Sequence, residues 1–378
     1  MMQEAVNMYT VNDYLFWRGD LTLEQSPFNE VDAGILARFA YEPFEGIVSD
    51  NLRDWVQVSY ACKALLNSPT LNDDVLDPNR DNEFIRRVGE SKRFGNMKIS
   101  GYINDTDIGR QIQYSSCLFD LDGEQNYFVA YRGTDNNIIA WKEDFNMGFE
   151  FPVPAQKRAL EYFENVVSTF KDGTFMVGGH SKGGNLSIYA ATFCDDRFNV
   201  PVTDIYNFDG PGFMENIMKL PEFKKIENSI HTFVPEFSVV GMILEHLEKY
   251  SVVHSFENGI MEHEILSWEC EATSFVHKEE RSAGSKFFDE TFRNWIAGLD
   301  KVQREQFVDT AFGLIMCDNA KKLAEFKINR RETLNSMIEA YKKMDEKNKA
   351  GFKSAAKRLF ETAGSLLKAN AEKPKLPV

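Results

Sequence analysis

Residues 174–190 read T-F-M-V-G-G-H-S-K-G-G-N-L-S-I-Y-A. An apolar run enters Gly179-His180-Ser181-Lys182-Gly183, a G-x-S-x-G, and a run of small residues leaves it. Apolar strand, glycine-bracketed serine and small-residue helix together form the context of a nucleophile elbow. The turn is so tight that the residues flanking the serine must lack bulk. Such an elbow lifts the Ser181 hydroxyl above the sheet edge and aims the backbone N–H of Lys182 at the space where an oxyanion would form. A phosphate-binding loop is disfavoured, because G-x-x-x-x-G-K-[ST] is absent and Ser181 precedes Lys182.

Working outward, residues 97–103, 111–120 and 126–132 read as strands, with Asp122-Gly123 as a turn. Residues 155–170 place Leu160, Phe163, Val166, Val167 and Phe170 on one helical face. The elbow strand 174–177 and a helix over 183–193 follow. Strand 202–208, a helix near 213–219 and strands near 230–234 and 251–255 come next. This alternation predicts a mostly parallel sheet covered by helices on both faces. Upstream, helices are expected over 29–41 and 50–66, and a polar, turn-rich stretch over 68–96. From about residue 285 strand signals vanish, and Phe352, Ala355, Ala356, Leu359, Phe360, Ala363, Leu366 and Leu367 fall at helical spacing. The expected organisation is a domain over 1–285, with a helical segment 1–96 and a sheet core 97–285, followed by a helical region 286–378.

The composition is that of a globular protein: 378 residues, 43% hydrophobic and 27% charged. No run approaches about 18 apolar residues, so no spanning helix is expected. The first residues lack a basic region followed by an apolar core, which predicts no signal peptide and a cytoplasmic location. The scattered cysteines Cys62, Cys117, Cys194, Cys270 and Cys317 read as free thiols, with no zinc pattern. A net charge of −15 argues against nucleic-acid binding. The charge is uneven, since residues 319–378 carry 15 Lys+Arg against 7 Asp+Glu. That basic segment is expected to pack as a helix on the body, or to make peripheral membrane contact.

Together, G-G-H-S-K-G-G-N-L and Tyr131-Arg132-Gly133-Thr134 resemble the class 3, fungal-type lipase branch of the α/β-hydrolases. The closer resemblance is to a bacterial lipase-like α/β-hydrolase family. P-F-N-E-V-D-A at 27–33, N-F-D-G-P-G-F at 207–213, S-V-V-G-M-I-L-E-H at 238–246 and M-E-H-E at 261–264 carry it, over roughly residues 7–280. The resemblance implies the α/β-hydrolase fold with a C-terminal helical extension. It also implies that Thr134 supplies the second oxyanion donor, and that Trp141 and Asp144 belong to a W-x-x-D lid segment. Arg132 is expected to be a structural ion-pair partner.

A nucleophilic serine needs a base, and the base an orienting acid, in the chain order serine, acid, histidine. The histidines are His180, His231, His246, His254, His263 and His277. His180 is part of the elbow and is expected to point away from Ser181. His231 falls in a strand and His246 on a predicted helix. His277 comes late, near the domain edge. His263 stands in a polar loop beyond the last strand, where the base belongs, with His254 as the alternative. For the acid, Asp209 follows strand 202–208 in F-D-G-P-G. Class 3 lipases place the acid one strand later in D-x-V-P, where this chain reads V-P-E-F, so Glu236 is the alternative acid.

No metal site and no organic cofactor are expected: H-E-x-x-H is not completed after His263-Glu264, and no G-x-G-x-x-G follows a strand. The expected function is a serine hydrolase acting on a carboxylic ester, a lipid or other small-molecule acyl ester. The catalytic residues would be Ser181, His263 and Asp209, with Thr134 and Lys182 as the oxyanion hole. The competing expectation is a hydrolase-fold protein with little or no activity that binds a partner or membrane through its basic C-terminal helices.

Overall fold

The computed structural model describes residues 9–71, 77–107, 112–134, 147, 150–198 and 200–300, then 302–304, 306–307, 310, 338–339, 341–342 and 344–372. The chain divides into two compact units, Met1–Thr134 with Pro154–Arg281, and Asp135–Val153 with Ser282–Val378.

In the first unit the described strands are β1 Val56–Gln57, β2 Lys98–Asp107, β3 Ile112–Asp120, β4 Asn126–Tyr131, β5 Thr174–His180, β6 Val202–Phe208, β7 Ile230–Pro235 and β8 Tyr250–Val253. The short β9 Cys270–Glu271, β10 Ser274–Phe275 and β11 His277–Lys278 complete them. One sheet runs β1-β2-β3-β4-β5-β6-β7-β8-β11, and β9 pairs with β10. β1 to β4 are antiparallel neighbours, β4 to β8 are parallel, and β11 returns antiparallel to β8. The parallel half needs crossovers. Helix α6, Pro154–Thr169, and helix α7, Lys182–Phe193, stand between β4 and β5 and between β5 and β6. This is the α/β-hydrolase fold expected from the sequence, with a more antiparallel first half than "mostly parallel" conveys.

Upstream helices are α1 Val11–Arg18, α2 Glu30–Phe39, α3 Val58–Leu66, α4 Pro78–Glu90 and α5 Lys92–Gly95. Every residue of α2 after Glu30 is buried. Val31, Ile35, Leu36 and Phe39 contribute about 1.5–3 kcal/mol each by leaving water. Asn29 caps the helix through Val31 N–H and Asp32 N–H. Asp32 is sealed against Arg93, which also donates to the carbonyls of Ser26 at 2.9 Å and Pro27 at 3.0 Å. The 27–33 segment therefore initiates a buried helix and anchors the loop before it.

Three expectations need correction. Residues 68–96 are not simply a turn-rich stretch. Asp77 caps α4 with Pro78 at its first position, and Phe84, Ile85 and Val88 bury one face under a heavily charged surface. The helix predicted over 50–66 begins only at Val58, because Val56 pairs with Ile99 as a strand. His246 lies on no helix: Glu245 bridges Phe213 in extended pairing, and Leu244 has φ 68°.

In the second unit, helices α8 Ala283–Ala297 and α9 Glu346–Glu372 are described. Trp295, Leu299 and Ala355 form their small core with Phe307 and Leu359, and Phe352 stacks on Phe307 at 5.2 Å. Phe360, from the predicted apolar stripe, is 77% exposed instead. Its neighbour Leu359 takes the packed position, because adjacent helical residues point about 100° apart.

Candidate active site

The elbow forms where β5 ends and α7 begins. Ser181 has φ 57° and ψ −134°, a conformation that costs a non-glycine residue about 1–3 kcal/mol. Surrounding contacts impose it. Ser181 N–H donates to Phe208 O at 2.9 Å, and Gly184 N–H closes on Ser181 O at 2.9 Å. A Cβ on Gly179 would strike Gly183 and the Tyr131 carbonyl, one on Gly183 the Tyr131 carbonyl, and one on Gly184 the Asn207 side chain. The glycines are therefore fixed by the closeness of β4, β6 and α7. Ser181 is 4% exposed.

Asp209 follows β6 directly and is fully buried, with φ 51°. Its N–H donates to Phe233 O at 2.7 Å, extending the β6–β7 pairing. One carboxylate oxygen lies 2.6 Å from His263 Nδ1, and the other accepts the Ser238 hydroxyl at 2.5 Å. A carboxylate on Nδ1 leaves Nε2 as the nitrogen that is unprotonated in the neutral ring.

His263 ends the short turn Gly259–His263. Glu262 ties that turn down by accepting Phe237 N–H at 2.6 Å and Gly259 N–H at 3.1 Å. Trp268, from the I-L-S-W segment, is buried and donates its indole N–H to Glu262 O at 2.8 Å. Glu264 accepts from Arg38 at 3.2 Å. Although burial opposes ionisation, Arg38, His180 and Arg80 hold its carboxyl down at about 2.

His180 turns its ring toward the Gly259–His263 turn. Its Nε2 lies 2.7 Å from His263 O and its Nδ1 3.1 Å from the Tyr41 hydroxyl. Burial, reinforced by His263, lowers its pKa to about 3, so Nε2–H is the donor to the His263 carbonyl. The Gly133–Thr134 loop abuts the elbow: Gly133 N–H donates to Tyr41 Oη at 3.1 Å, and a Cβ on Gly133 would press on Ser181. The Lys182 side chain is fully buried and donates to Gln113 O at 2.9 Å. Arg132 donates to Asn104 at 2.9 Å.

The alternative residues form a separate couple, with His254 Nδ1 2.6 Å from Glu236. Asp209 therefore adjoins His263, and Glu236 adjoins His254. The other histidines are taken up elsewhere. His231 meets Asp204 at 2.8 Å, His277 meets Glu30 at 3.0 Å, and buried His246 pairs with Glu248 at 2.7 Å. Trp141 and Asp144 lie outside the described residues. Among the described residues no cluster of three or more His, Cys, Asp or Glu side chains has metal-binding placement, and no helix is long and apolar enough to cross a membrane. Tyr41 and Arg38 have no motif to announce them, and Ser238, although it opens S-V-V-G-M-I-L-E-H, reaches the site through a single hydroxyl that the sequence does not single out.

A family model described as Mbeg1-like matches residues 88–313, more than half of the chain. The chain belongs to the Mbeg1-like family. The match takes in β2 to β11, the elbow, Asp209 and His263, but begins well after residue 7, where the sequence resemblance to lipase-like hydrolases starts. Residues 1–87, with α2, precede the Mbeg1-like match. No curated protein matches the chain. Among solved structures, the chain is similar to the Lip2 lipase of Yarrowia lipolytica, with 11% identity, 52% of this chain and 80% of that one covered, and a TM-score of 0.31. A Rhizomucor miehei lipase propeptide complex gives 14% identity, 50% and 65% coverage, and a TM-score of 0.33. Lipase II from Rhizopus niveus gives 15%, 52% and 77%, and 0.29. Likeness this distant assigns no chemistry to the Mbeg1-like chain.

Proposed function

We propose that this protein is a serine hydrolase of carboxylic esters, acting on a lipid or other acyl ester. The observation that carries the reading is the 2.6 Å contact of His263 Nδ1 with buried Asp209, on the strand next to the Ser181 elbow. Ser181 Oγ attacks the ester carbonyl while His263 Nε2 takes its proton. Asp209 accepts from Nδ1–H, fixing the tautomer and stabilising the imidazolium, and Ser238 steadies its second oxygen. Backbone N–H groups of Lys182 and Thr134 hold the oxyanion. His263 passes the proton to the leaving alcohol, and an acyl-enzyme remains on Ser181. Water, deprotonated by His263, attacks that acyl group, and His263 returns the proton to Ser181 Oγ as the acid leaves. No metal or organic cofactor takes part in this scheme.

The test is fluorophosphonate labelling and short-chain p-nitrophenyl ester hydrolysis by wild type and Ser181→Ala. Wild type should be labelled, and the variant should lose label and about 10⁶-fold in kcat. Equal labelling of both would refute Ser181 as the nucleophile.

A further inference from the structure

Tyr41 lies just beyond α2, outside the residues matched by the family model. Its hydroxyl joins two parts of the site. It accepts Gly133 N–H at 3.1 Å, and it stands 3.1 Å from His180 Nδ1 and 3.2 Å from His180 O. Its single proton serves one His180 acceptor at a time. Burial pushes the phenol pKa up, so the proton stays in place. His180 carries the tie onward through Nε2–H to the His263 carbonyl at 2.7 Å.

Arg38, near the end of α2, forms the second arm. Its guanidinium lies 5.7 Å from the Tyr41 ring centre and holds Glu264 at 3.2 Å, Glu42 at 3.0 Å and Asp81 at 2.8 Å. His263 is thus tethered through its own carbonyl and through the next side chain, both from the end of one helix.

We infer that the end of α2 is a positioning device for catalysis, in which Tyr41 through His180, and Arg38 through Glu264, set the spacing of the Gly133–Thr134 loop, the elbow and the base loop. None of these four side chains need touch substrate. The inference rests on the reading of Ser181, His263 and Asp209 as the catalytic set. Small displacements at such a site are costly, since about 1 Å of misplacement can remove on the order of 10² in rate.

The experiment measures p-nitrophenyl butyrate hydrolysis, normalised to sites titrated with a fluorophosphonate, in full-length wild type, Tyr41→Phe, His180→Ala and His180→Gln. Tyr41→Phe and His180→Ala should lower kcat per titrated site on the order of 10–10²-fold, with KM little changed. His180→Gln, whose amide nitrogen can occupy the Nε2 place, should restore most of that loss. A merely architectural role predicts lower melting temperature and fewer titratable sites, with wild-type kcat per site, and that result would overturn the inference alone. Equal losses in His180→Gln and His180→Ala would also overturn it. Should Tyr41→Phe not fold, the two His180 variants decide by themselves. A folded wild type that takes no label and cleaves no ester overturns the underlying reading and this inference together.

Discussion

The His180 ring lies 4.3 Å from the His263 ring, centre to centre, with the planes inclined by 36°. Two imidazolium charges at that spacing would repel. Burial, with His263 second, holds the His180 pKa at about 3, well below the ordinary value of 6.5. Such a ring binds a proton more weakly folded than unfolded. Its contribution to stability is therefore complete above pH 6.5 and is lost as pH falls toward about 3. Thermal melts from pH 7 to pH 4 should show a steeper decline for wild type than for His180→Gln. Parallel curves would mean that His180 titrates normally.

The Arg38 cluster predicts the opposite slope on the other side. Three carboxylates share this guanidinium. Burial, against the pull of Arg38, raises Glu42 to about 7 from 4.5. A raised carboxyl stabilises most below its unfolded pKa, and that contribution fades as pH rises through about 7. Glu42→Gln, which mimics the protonated form, should flatten the melting-temperature decline between pH 5 and pH 8. A variant curve that falls as steeply as wild type would place the proton elsewhere.

Replacing Asp209 by Asn leaves the shape and removes the charge. The amide offers His263 Nδ1 a different hydrogen-bond partner and favours the wrong tautomer. Steady-state hydrolysis should fall about 10⁴-fold, with folding retained. Near-wild-type turnover would remove Asp209 from its proposed role.

Glu236 offers the complementary control. It engages His254 at 2.6 Å, with both side chains partly exposed. Glu236→Gln should leave kcat/KM within about twofold of wild type, the range of a near-neutral substitution. A loss comparable to that of Asp209→Asn would show that the acid had been misassigned.

The elbow glycines give a test that does not depend on substrate. A Cβ at Gly183 meets the Tyr131 carbonyl, which is backbone and cannot rotate away. Gly183→Ala should lose about 1–3 kcal/mol in denaturant unfolding and label poorly. A variant as stable as wild type would mean that β4 and α7 can separate without cost.

The elbow, the strand succession around it and the loop holding His263 were legible because each rests on local chemistry: glycine bulk, apolar runs and a polar segment beyond a strand. The sequence pointed to Asp209 beside His263 but left Glu236 and His254 open as alternatives, because Asp209 and His263 are 54 positions apart and only the order of strands brings them together. Helix α4 was hidden by charge: Arg80, Glu83, Arg86, Arg87 and Glu90 mask a three-residue apolar face. The contributions of Tyr41 and Arg38 have no signature, since a single hydroxyl and a single guanidinium act over more than a hundred residues of sequence.

Two histidine–carboxylate couples lie at the ends of neighbouring strands, and they differ in lateral position. Asp209 leaves β6, immediately beside the strand that delivers Ser181, whereas Glu236 leaves β7, one place further out. At roughly 4.8 Å per strand, that extra step equals the reach of a side chain. Under the proposed reading, the strand adjoining the serine's own, and not the next one out, carries the acid, and a single side chain bridges the gap.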